Sequence, residues 1–108
     1  MKFFTSIRAS LMLDKGQKLI ASGDYRGALE RALEARQLDL SPQFEWLSYM
    51  VEGKARFNLL QLDEAMTALR QAETMVQAEL DAKPAATALE NILRDIRGHI
   101  DAIERHEG

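Results

Sequence analysis

The segment Ala21-Ser-Gly-Asp-Tyr-Arg-Gly-Ala-Leu29 returns in looser form 37 residues later, as Asn58-Leu-Leu-Gln-Leu-Asp-Glu-Ala-Met66. The echo extends outward, with Gly16 mapping onto Gly53, Ala28 onto Ala65, Leu33 onto Arg70 and Ala35 onto Ala72. Self-similarity at such a period marks stacked supersecondary units, each burying its apolar face only against its neighbours. The apolar residues around both copies recur every three or four positions, so the repeating unit is a pair of helices. That restricts the chain to an all-α stack and moves the functional expectation from catalysis toward binding.

At 108 residues, the chain suits a single domain over 1–108 whose core is adequate but not generous. It contains no cysteine, which excludes a disulfide framework, a thiolate zinc site and a cysteine nucleophile. The opening Met1-Lys-Phe-Phe-Thr-Ser-Ile-Arg8 offers only Phe3-Phe4 as an apolar run, too short for a secretory signal. No run approaches bilayer length, so a soluble, cytoplasmic protein with no membrane partner is expected. The net charge of −3 is unevenly placed. Residues 1–22 hold Lys2, Arg8, Lys15 and Lys18 against Asp14 alone, which is +3, and the remainder carries −6. This asymmetry fits a basic docking face, a head-to-tail self-contact or a solvated helix surface. Four scattered bases do not make a nucleic-acid patch, and no such partner is expected.

The spacing predicts five helices. The first runs from Ser6 to Ser22, with Ile7, Leu11, Met12, Leu19 and Ile20 at helical intervals. Gly23-Asp24 ends it and caps the next, which runs from Tyr25 to about Leu38 and carries a stripe of Ala28, Ala32 and Ala35. Ser41-Pro42 opens a third helix to about Leu60, the hydroxyl as cap and the proline at the first helical position. A fourth spans about Asp63 to Asp81. Lys83-Pro84 breaks the chain before a last helix from about Ala85 to Arg105. There Leu89, Leu93, Ile96, Ile100 and Ile103 form one firm apolar face, a candidate for capping the fold or for dimerisation. Gly16 and Gly53 sit in helix interiors, where each costs about 1 kcal/mol relative to Ala, so close helix contact is expected at both.

Gly16, Gly23-Asp24-Tyr25, Ala28, Ala32 and Ala35 in the first copy, with Tyr49, Gly53, Leu62-Asp63-Glu64-Ala65 and Ala72 in the second, resemble the tetratricopeptide repeat family. The resemblance covers about residues 9–77. It implies a superhelix of two hairpins, over about 9–40 and 42–81, with the helix at about 85–105 as an added cap. Lys15, Lys18 and Glu52 depart from the family pattern, and Leu60-Gln61 stands where the first turn has Gly. In this family the first helices of successive repeats line a concave groove that holds a peptide. Carried over by position, the groove residues are Leu13, Gln17 and Ala21, with Met50, Lys54 and Asn58. The cluster with which some members clamp a C-terminal carboxylate is incomplete here, because Leu13, Gln17 and Val51 replace the polar residues it needs.

Other candidate sites have plainer explanations. His99 and His106 lie seven residues apart with Asp95 one turn before His99, short of the convergent ligands a metal needs, and they read as solvent-exposed. Asp63-Glu64 suits a helix N-terminus, where carboxylates offset the dipole. No activating base accompanies Ser41, and no strand precedes a phosphate-cradling loop, so no enzyme and no cofactor are expected. Of Phe44, Trp46, Tyr49 and Phe57, most are expected in the core, and Trp46 is a candidate partner anchor. The expectation is a non-catalytic adaptor or scaffold that binds a protein or peptide, with a homodimer through the last helix. The alternatives are a secretion-type chaperone that sequesters a partner segment, and a structural dimerisation domain whose groove is filled by its own helix.

Overall fold

The computed structural model describes residues 2–107, with side chains described from 4 to 106. Met1, Gly108 and the side chain of Lys2, which enter the domain and charge readings above, lie outside these. Helix α1 covers Lys2–Ser22, α2 Tyr25–Ala35, α3 Pro42–Asn58, α4 Leu62–Ala82 and α5 Thr87–Glu107. All five expected helices are present and the described residues contain no strand. Helix α1 starts earlier than Ser6. Helix α2 stops short of Leu38 because the N–H groups of Gln37 and Leu38 turn back to Glu34 and Ala35, three residues earlier, tightening the last turn.

The repeat is visible in the backbone. After α1 the N–H of Gly23 donates to the carbonyl of Ile20 at 3.1 Å and that of Asp24 to Leu19 at 2.8 Å. After α3 the N–H of Leu60 donates to Phe57 at 3.1 Å and that of Gln61 to Arg56 at 2.9 Å. Both are Schellman ends, which need a left-handed residue after the last helical turn. Gly23 supplies it at φ 88° and Leu60 at φ 64°. The next residues again match, with φ/ψ of −88°/76° at Asp24 and −89°/70° at Gln61. Asp24 then caps α2 by accepting from the Gly27 N–H at 3.0 Å. The expected hydroxyl cap at Ser41 is absent, although Pro42 does open α3. The proline ring and its fixed φ preset the first turn without the hydroxyl.

Helix α3 is the hub. It touches all four other helices, whereas α1 meets only α2 and α3, and α5 meets only α4 and α3. Helices α1 and α5 therefore stand at opposite ends of a body 45 × 34 × 20 Å, whose thinnest dimension is two helix diameters. Small residues allow the close pairing. A Cβ placed on Gly16 would lie 3.1 Å from Val51 Cγ1, and one on Gly53 only 2.5 Å from Leu69 Cγ. The core has two parts that share α3. One joins Leu13, Ala28, Ala32, Ala35, Val51 and Ala55. The other joins Trp46, Met50, Ala65, Leu69, Ala72 and Val76 to Leu93, Ile96, Ile100 and Ile103 of α5.

The apolar stripe of α5 is thus spent within its own chain, with Leu89 half-buried at its margin. It packs against α3 and α4, and burying each such Leu or Ile stabilises by about 1.5–3 kcal/mol.

Candidate functional site

The six groove positions divide sharply. Leu13 is fully buried and Met50 nearly so. The alanine stripe of α2 brings its backbone so close that Leu13 fills the space between α1, α2 and α3, while Met50 joins the core under α4 and α5. Neither side chain therefore faces solvent, unlike the other four positions. Gln17, Ala21 and Asn58 remain exposed and Lys54 partly so. The Lys54 ammonium lies 2.5 Å from Asp95 Oδ2, tying α3 to α5.

At Asn58 the surface is hollowed. A cleft of about 230 Å³ is lined by Phe57, Asn58, Leu60, Leu62, Ala102 and His106. A more open one of about 500 Å³ is lined by Phe57, Asn91, Arg94, Asp95, Gly98, His99 and Ala102. Phe57 and Ala102 belong to both, so the two adjoin. Leu60 is 76% exposed at the rim of the smaller cleft. In the sequence Leu60 stands only as the turn residue where the first copy has Gly. Its position in the repeat was the available signal, since a residue aligned with Gly23 inherits a left-handed backbone.

His99 is partly buried rather than exposed, because its ring stands edge-on to Phe57 at 5.7 Å and its Nδ1 lies 2.9 Å from the Asp95 carbonyl. His106 is exposed. No group of three or more metal-ligating side chains occurs among the described residues. Trp46 is no exposed anchor. It is 4% exposed, and its indole N–H donates to Glu79 Oε1 at 3.1 Å, which satisfies the polar edge that burial would otherwise strand. On the far face of α3, Glu52 is buried between Arg36, just after α2, and Arg56, whose Nε lies 2.7 Å from Glu52 Oε2. Arg36 also stacks 4.2 Å from the Tyr49 ring. This explains why a charged residue precedes Gly53, since Glu52 bonds the two hairpins together.

No helix among the described residues is long and apolar enough to cross a membrane. No protein-family model, curated protein or solved structure matches the chain.

Proposed function

We propose that this chain is a protein-interaction module of tetratricopeptide type, with two helical hairpins and a capping helix wound as a right-handed superhelix, and that it has no chemistry of its own. Two features support the architecture: the paired Schellman turns at Gly23 and Leu60, and close-packed glycines at matching repeat positions, Gly16 against Val51 and Gly53 against Leu69. The partner segment is a peptide or protein element with an apolar anchor. It lies across Gln17, Ala21, Lys54 and Asn58 and seats the anchor in the cleft at Leu60.

The observation that carries this reading is Leu60. A left-handed conformation costs a non-glycine residue about 1–2 kcal/mol, and a large apolar side chain held there in solvent gains little from its own fold. A binding role accounts for both costs. Selection of displayed peptides on immobilised protein tests it. Peptides bearing an apolar anchor should be enriched on the wild type and lost on Leu60→Gly, whose backbone suits the turn. Enrichment indifferent to Leu60, or no enrichment, defeats the proposal.

A further inference from the structure

The two ends of the stack are finished differently. At the α5 end, Asn91, Arg94, Asp95, Asp101 and Arg105 are exposed, and no exposed residue among those described in α5 is apolar and larger than alanine. A repeat stack needs such a polar outer face where it stops. Helix α1 closes the other end without one. It buries Ala9, Leu13 and Gly16 on its inner side, toward α2 and α3. Opposite them Phe4, Ile7 and Leu11 are 58%, 43% and 65% exposed. Spaced three and four residues apart, these three form one continuous ridge. A helix that is apolar on both sides is ordinarily covered on both.

The ridge carries its own charge. Arg8 and Lys15, seven residues apart, share one flank of it, and neither has an ion-pair partner among the described residues. Lys18 continues the line of the ridge, its ammonium 3.0 Å from Asp14 Oδ2. The face thus holds three cations against one carboxylate, and that carboxylate is already engaged. The pattern selects an occupant that is negative at its surface and apolar just beneath. A second copy does not qualify, because antiparallel pairing on this ridge would set Arg8 and Lys15 against their own counterparts. A protein partner fits poorly too. Stable interfaces bury about 800 Å² a side over roughly 20–30 residues, whereas this ridge offers three apolar side chains on a convex helix. Neither cleft described above includes any residue of α1.

We infer that α1 docks on an anionic phospholipid surface, lying along it with Phe4, Ile7 and Leu11 sunk among the acyl chains and Arg8 and Lys15 at the headgroup phosphates. An amphipathic helix of this kind sits about 5–10 Å into the boundary, and its long basic side chains reach back to the phosphates along their apolar stems. The length rule behind the expectation of no membrane partner concerns crossing a bilayer, not lying on one. With one short ridge and two free cations the binding is weak, reversible and salt-sensitive. It leaves the clefts at Phe57 free, because α5 lines both and α1 makes no contact with α5.

Flotation of the full chain with liposomes tests this. At low salt the wild type should float with vesicles of mixed phosphatidylcholine and phosphatidylserine, but not with phosphatidylcholine alone, and high salt should release it. Arg8→Gln with Lys15→Gln should weaken binding about 30-fold, since each basic side chain at an anionic surface contributes about fivefold. Ile7→Ser with Leu11→Ser should weaken it roughly tenfold or more while keeping the helical circular dichroism. Leu11→Trp should bind like the wild type, its added fluorescence moving to the blue on vesicles and being quenched by brominated acyl chains. Leu60→Gly should float like the wild type, so loss of peptide capture and loss of lipid binding are separate results. A wild type that stays in solution, or floats equally well with phosphatidylcholine alone, overturns the inference. So does binding that both double variants retain, or Leu11→Trp emission that bound vesicles leave unchanged. A dimer in lipid-free solution that Ile7→Ser with Leu11→Ser dissolves would overturn it in favour of a second copy.

Discussion

Three mid-helix glycines make a quantitative test of the packing. Replacing Gly by Ala in a helix interior gains about 0.5–1 kcal/mol from backbone entropy alone. That gain is common to all three sites, so the differences report only what the new methyl group meets. At Gly98 it meets nothing, and Gly98→Ala should stabilise by about 1 kcal/mol. At Gly16 it comes 3.1 Å from Val51 Cγ1, a branched tip that must yield slightly, so the two effects nearly cancel. At Gly53 it comes 2.5 Å from Leu69 Cγ and 3.3 Å from the Leu69 backbone nitrogen. Leu69 is fully buried and has no room to retreat. Overpacking of this sort costs about 1–3 kcal/mol, leaving Gly53→Ala destabilised by up to about 2 kcal/mol. Urea unfolding followed by circular dichroism should rank the midpoints Gly98→Ala, then Gly16→Ala, then Gly53→Ala. Thermal midpoints should spread accordingly, since about 1 kcal/mol moves a domain of this size by roughly 4–8 °C. If Gly53→Ala gained stability as Gly98→Ala does, the close approach of α3 and α4 through Gly53 would be refuted.

Three further outcomes follow from the same contacts. Glu52→Gln leaves Arg36 and Arg56 facing each other with little solvent, and equilibrium unfolding should show a loss of about 2–3 kcal/mol, below the full value for a buried pair because both guanidinium groups are partly wet. Ile96→Ala opens a void under α5 and should cost about 2–4 kcal/mol, with amide exchange fastest in α5; uniform exchange would argue against α5 as a separable cap. Leu60→Gly should leave stability within about 1 kcal/mol of wild type, the relief of the left-handed strain being offset by the freer unfolded chain, while peptide capture is lost. A fall of several kcal/mol there would mean that Leu60 serves the fold itself.

Helix number and the Gly23-Asp24 turn were legible in the residues because each depends on neighbours close along the chain, whereas α1 begins before Ser6 and α2 ends before Leu38. Asp24 as a cap, Pro42 as an opening residue and the alanine stripe of α2 all act within a few positions of themselves. The spacing of Leu89 to Ile103 likewise declared one buried face. What that face is buried against was not written locally, and the fold spends it on α3 and α4 of the same chain. The inward turn of Leu13 and Met50, the burial of Trp46 onto Glu79, and the exposure of Leu60 and of Gly98 were also settled only by packing. Each depends on the volume and position of a side chain on another helix, often more than thirty residues away, and helical periodicity says which residues share a side but not what stands opposite it.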